Sequence, residues 1–209
     1  MRTRHTCVMT IVVGRRPGRP VGGRHVVDKE LVLDAAERVI RRDGAAVSLE
    51  TIAIEAGVTK PIVYARVGGR NDVADALAVR LSDRLIAAAS VAVDGRPFGR
   101  ETLAALIEAN LLTVADHREL FLYVTGGTTG ESPKRTLYLA ERSTAPMAQQ
   151  LVRWRTRQGL DPAAALPWAY AVVGMLHLVS LWWLSETDRS AQQLADHLAE
   201  LLWSGFAGD

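Results

Sequence analysis

The chain has 209 residues, of which 48% are hydrophobic, 23% charged and 6% aromatic; these values are ordinary for a folded protein and exclude a disordered or collagen-like chain. The formal net charge is only +2, but residues 1–71 hold 13 Lys and Arg against 7 Asp and Glu, whereas the remainder holds 12 against 16. A basic first part that meets a polyanion, joined to a mildly acidic second part with a different task, is the expectation. The length suits one compact unit with a small appended module.

Cys7 is the single cysteine, so an intramolecular disulfide and a Cys-rich zinc site are excluded, which fits a reducing cytosol. The apolar run from Cys7 to Val13 leads into Gly-Arg-Arg-Pro-Gly-Arg-Pro rather than a small-residue cleavage site. No stretch approaches the ~20 apolar residues of a membrane span. The expected location is therefore the cytoplasm, with no membrane partner, metal or cofactor.

The first 24 residues carry six arginines and no carboxylate, and glycines and prolines punctuate their second half, so residues 1–23 are expected to form an arm without stable structure. A first helix begins near Asp28. Its Val32, Ala35, Ala36, Val39 and Ile40 recur at three-to-four spacing, and Gly44 ends the pattern. Ser48 is placed to cap a second, short helix that runs to Ala56, and Gly57 supplies a turn. Thr59 starts a third helix with Pro61 in its first turn, where the missing N–H costs nothing, and Gly68 and Gly69 stop it after Arg66. A fourth helix, from residue 71 or 72 to about 93, carries Val73, Leu77, Leu81 and Leu85 on one face.

Further helical patterns cover residues 101–116, 133–159, 162–186 and 190–206, with 119–124 as a short extra piece. No strand alternation is visible. Residues 168–184 are apolar almost all round, which requires burial against protein on several sides. The fold class is therefore all-α: a three-helix module followed by a helical bundle.

Two short helices joined by a Gly-containing turn match a DNA-binding helix-turn-helix, whose second helix lies in the major groove. Leu33-x-Ala35-Ala36, Gly44, Ile52-Ala53, the string Ala56-Gly57-Val58-Thr59-Lys60-Pro61, Val63-Tyr64, Arg70 and Leu77 together resemble the N-terminal domain of bacterial TetR-type transcription regulators over about 50 residues. Arg66 stands where that pattern usually has His, and Val67 where it has an aromatic. The resemblance implies a DNA-binding domain over residues 24–90, and an effector-binding and dimerisation domain over residues 95–209. It also implies a repressor that is a homodimer, binds a pseudo-palindromic operator in double-stranded DNA, and is released by a small, largely apolar effector.

Carried onto this chain, Thr59, Lys60 and Pro61 open the recognition helix, and Lys60 reaches a base edge or a phosphate. Tyr64 follows one turn later, with its hydroxyl on the DNA backbone or simply at the surface of the core. Arg66 takes over a phosphate contact, Ser48 caps the second helix and can donate to phosphate, and Arg70 clamps another. Gly18-Arg19-Pro20 resembles the centre of an AT-hook, although Pro17 replaces the Arg expected before it. Arg19 and Arg24 are accordingly candidates for minor-groove or phosphate contact, the alternative being a tail without a role.

In the second module, Val172, Met175, Val179 and Trp183 on one helix and Leu194, Leu198, Leu201 and Leu202 on the next supply apolar surface for a dimer seam, shared with the subunit core in unknown proportion. Phe121, Tyr123, Met147, Trp154, His177 and Trp182 combine apolar bulk with polar handles and are candidates for an effector pocket, core or interface being the plainer role for each. The Gly126–Gly130 loop lacks the Gly-Lys-Ser/Thr ending of a phosphate loop and reads as a connector. No metalloprotease, serine-hydrolase or dinucleotide motif is present, so the chain is not expected to be an enzyme. The remaining alternative is an all-α adaptor that does not bind DNA, for which a salt-dependent gel shift would be absent.

Overall fold

A computed structural model describes residues 28–125, 133–186 and 188–207, and all its regular elements are helices. The arm, with Arg19 and Arg24, and the glycine-rich connector at 126–130 lie outside the described residues. In chain order the helices are α1 (Lys29–Asp43), α2 (Leu49–Glu55), α3 (Lys60–Arg66), α4 (Arg70–Val93), α5 (Arg100–Asp116), α6 (Arg118–Thr125), α7 (Pro133–Arg157), α8 (Ala165–Glu186) and α9 (Ala191–Ala207), with a 3-10 turn at Pro162–Ala164 before α8. The all-α reading of the sequence holds along the described chain.

The side chains sort into two cores. The first gathers Val32, Ala36, Val39 and Ile40 of α1, Ile52 of α2, Val63 of α3 and Leu77 of α4, and α6 completes it with Phe121 and Tyr123. The second joins Leu103, Ile107 and Leu111 of α5 to Leu151 of α7, Val172 of α8 and Leu194 of α9. Helix α4 spans both regions: its first half is buried in the first core, and its second half lies along α5 and α7.

Local chemistry sets the helix ends. The Asp28 carboxylate accepts from the Glu30 N–H at 2.5 Å and the Ser48 hydroxyl from the Thr51 N–H at 3.1 Å, each satisfying a donor that its helix cannot. Between α2 and α3, Gly57 sits at φ +67°, a left-handed conformation that bends the chain sharply. Before α4, Gly68 takes φ +115°, and the Asp72 carboxylate folds back to accept the Gly69 N–H at 2.7 Å.

The first module is also held by charge. The Arg80 guanidinium on α4, only 19% exposed, donates to Asp34 at 2.8 Å, to Glu37 at 3.0 Å and to Glu30, all on α1. Arg84 donates to the same Glu37 at 2.6 Å. On the other side of α1, Arg38 and Arg42 donate to Glu55 of α2 at 2.9 and 3.0 Å.

Helix α8 brings one correction. Against the expectation that no stretch nears the length of a membrane span, Pro162–Ser185 is long and apolar enough to cross one, at a mean hydropathy of 1.6. Its apolar surface has other uses within the bundle. Ala165, Ala169, Val172 and Leu176 pack in the second core, and Leu181 and Leu184 rest on the first.

His117, at the corner between α5 and α6, has its basicity lowered by burial and then by the positive charges of Arg84 and Arg41. The unfolded chain therefore binds a proton there more readily than the native one. The stabilisation is complete above the ordinary value of about 6.5 and is lost as the pH falls through the lowered native value. Urea unfolding at a series of pH values is expected to show a loss of stability on acidification that His117→Gln reduces.

A Cβ at Gly68 would fall 2.4 Å from Asp72 Oδ2 and 2.7 Å from its Cβ, whereas one at Gly57 meets nothing within 4 Å. Gly57→Ala is expected to cost about 1 kcal/mol through backbone strain alone. Gly68→Ala adds displacement of the cap and is expected to cost about 2–3 kcal/mol. Thermal unfolding of the two variants measures the difference.

Candidate nucleic-acid interface and ligand cavity

Helix α3 is anchored by one buried side chain, Val63. Around it Lys60, Pro61, Ile62, Tyr64, Ala65 and Arg66 are all exposed, Tyr64 to 52%. A seven-residue helix that gives most of its surface to solvent has little part in the core beyond its anchor, and that surface is free to meet a partner. Thr59 occupies the N-cap position but makes no side-chain capping hydrogen bond, so its hydroxyl is not committed there. Ser48 is exposed, as expected, while also capping α2.

Lys60 and Arg66 form no ion pair among the described residues, unlike Arg38, Arg42, Arg80 and Arg84 on the same module. Glu30, Asp34, Glu37 and Glu55 are thus engaged by arginines of α1 and α4, and the side chains of Lys60 and Arg66 are left facing solvent. Arg70 opens α4 half-buried, and its Nε is buried without a hydrogen-bond partner among the described residues. Val67, in the place of the aromatic, is partly buried against the first core. Tyr64 Cε1 lies 3.6 Å from where a Gly69 Cβ would be, so the ring leans over the α3–α4 turn while most of it stays open to solvent.

The second site is a cavity of about 560 Å³ enclosed by α4, α5, α6, α7 and α8, within the usual size of small-molecule pockets. Leu85, Ile86 and Ala89 of α4, Leu103 and Leu106 of α5, and Val173 of α8 make its wall mainly apolar. Its polar groups include Ser82, Asn110, Ser143, Gln150, His177 and Ser180. None of the wall residues among those described is Asp, Glu, Lys or Arg. Pro146 interrupts α7 where that helix borders the cavity and removes one backbone donor there.

Of the residues expected in a pocket, Phe121, Met147 and His177 line this cavity, and the Phe121 and His177 rings pack at 5.8 Å between centroids. Three others do not line it, and the expectation is corrected for them. Tyr123 is fully buried in the first core. Trp154 stacks with Phe98 at 5.4 Å and with Trp203 at 5.9 Å. Trp182 is 42% exposed on the outer side of α8. The wall on α4 was missed from the sequence, although Ala78, Ser82, Leu85, Ala89 and Val93 recur at the spacing that would have marked a second face of that helix.

The residues expected in a dimer seam divide between interior and surface. Val172 and Leu194 are buried in the second core, which removes them from the seam. Met175, Val179, Trp183, Leu198 and Leu202 are partly buried at its edge. Leu201 is 65% exposed on α9, and Leu178 on α8 is 68% exposed beside Trp182.

Comparison with known proteins places this architecture. Residues 88–208 match the family described as tetracyclin repressor-like, C-terminal domain. An HTH-type transcriptional regulator of Mycobacterium tuberculosis is 32% identical over 193 residues, covering 88% of this chain and 80% of the relative. Among solved structures, the TetR family regulator PfmR of Thermus thermophilus superposes with a TM-score of 0.60 at 21% identity, covering 82% of this chain and 96% of that one. The fatty acid degradation regulator FadR of Bacillus halodurans superposes with a TM-score of 0.67 at 18% identity, covering 87% and 97%. FadR of Bacillus subtilis, in complex with stearoyl-CoA, gives 0.68 at 15%, covering 84% and 98%. These structural likenesses show a shared fold, and the family match and the mycobacterial relative show more: the chain belongs to the TetR family of helix-turn-helix transcriptional regulators and is not an enzyme.

Proposed function

We propose that this regulator is a homodimeric repressor that leaves its operator when a small, largely apolar molecule fills the cavity. The observation that carries DNA binding is the solvent-facing surface of α3, where Lys60, Tyr64 and Arg66 surround a single buried anchor. Residues 24–90 form the DNA-binding domain and residues 95–209 the effector-binding and dimerisation domain, and the protein acts in the cytoplasm. Thr59, Lys60 and Pro61 enter the major groove at the N-terminus of α3, and Tyr64, Arg66, Ser48 and Arg70 hold the backbone. The stearoyl-CoA in the Bacillus subtilis relative supports an effector site in such a bundle.

Two copies pair through the exposed apolar faces of α8 and α9, with Leu178, Trp182 and Leu201 at the centre and Met175, Val179, Trp183, Leu198 and Leu202 around them. The dimer presents two α3 helices to half-sites about 34–36 Å apart, one turn of DNA, or a multiple of that. An effector that binds better to a conformer with another spacing weakens the operator complex by its differential affinity.

Selection of bound sequences from random DNA is expected to return a two-fold symmetric motif, and a motif without symmetry would overturn the dimeric reading. Lys60→Ala is expected to weaken binding about tenfold and, if its partner is a phosphate, to lower the salt slope by about 1. Leu178→Glu is expected to yield monomers by sedimentation and to lose operator affinity.

A further inference from the structure

The cavity wall carries hydroxyls and amides but, among the described residues, no charged side chain. One of the hydroxyls is unusual. Ser180 on α8 is 1% exposed, it lines the cavity, and its Oγ has no hydrogen-bond partner among the described residues. A buried hydroxyl brings one donor and two acceptor sites, and leaving it unpaired is unfavourable. A ligand oxygen in the cavity would satisfy it.

Its neighbours point the same way. Ser82 Oγ on α4 lies 3.4 Å from Ser143 Oγ on α7, a long and weak contact between two further wall hydroxyls. Three helices, α4, α7 and α8, therefore bring hydroxyls to one mainly apolar cavity.

We propose, on the reading of this cavity as the effector site, that its ligand is an uncharged amphiphile whose single hydroxyl or carbonyl oxygen is held by Ser180, with the Ser82–Ser143 pair on the wall of the same cavity. The titratable groups on the described wall are Tyr170 and His177. A carboxylate of the same chain length is rejected, because it would leave water for a wall that, among the described residues, offers no Lys or Arg. This sets the ligand apart from an anionic acyl chain.

Calorimetric titration of the full-length protein at pH 8 with decanol and with decanoate tests the proposal. Decanol is expected to bind at least about tenfold more tightly than decanoate. Ser180→Ala is expected to weaken decanol binding about three- to tenfold. It should do so without lowering the melting temperature of the unliganded protein, because the lost hydroxyl has no partner to lose. Decanoate binding equal to or tighter than decanol would overturn the proposal while leaving the effector site standing, and loss of that binding in His177→Gln would identify an imidazolium as the missing cation. Unchanged decanol binding in Ser180→Ala would also overturn it. Failure of both probes to bind would overturn the reading of the cavity as an apolar effector site.

Discussion

Helix α4 is the constraint on which both halves of the molecule depend. Its 24 residues form one uninterrupted helix, roughly 36 Å long at 1.5 Å per residue. Its first half is buried against α1, with Leu77 fully enclosed, and its second half is a wall of the cavity through Leu85, Ile86 and Ala89. An intact helix transmits displacement along its axis because each turn is hydrogen-bonded to the next. The cavity and the helix-turn-helix consequently share one rigid element rather than meeting across a linker.

Electrostatics ties that element to the DNA-binding module. Arg80 engages three carboxylates of α1, and Arg84 engages one of the same three. A guanidinium that is mostly buried and forks into several acceptors holds a defined orientation, unlike an isolated surface pair. The excess of positive charge in the first 71 residues lies in residues 1–24, since residues 25–71 hold 7 Lys and Arg against 7 Asp and Glu; on α3 itself Lys60 and Arg66 are exposed and form no ion pair among the described residues. Helix α6 closes the arrangement from the other side, with Phe121 touching both the first core and the cavity.

Helix α8 shows how one apolar segment serves several purposes. Its Ala165 and Ala169 are packed in the second core, Val172 and Leu176 border both that core and the cavity, Val173 and His177 line the cavity, and Leu178 and Trp182 are exposed. A segment apolar all round carries no period by which to separate these faces. For that reason Val172 and Trp182 were placed differently by sequence reading and by the folded chain.

Sequence by itself determined the helices, their boundaries to within a few residues, and the helix-turn-helix. Those features rest on local chemistry: the capping side chains of Asp28 and Ser48, the left-handed glycines, the three-to-four spacing of α1, and the string from Ala56 to Tyr64. Only tertiary structure decided which apolar residues face the core, the cavity or solvent, because hydrophobic burial is not directional and any partner satisfies it. Packing sent Tyr123 and Trp154 into the interior and brought Ser82, Ser143 and Ser180 from three helices to one wall. The Arg80 fork also belongs to the fold, since its partners lie 43 to 50 residues away in the chain and meet it only once α1 and α4 have docked.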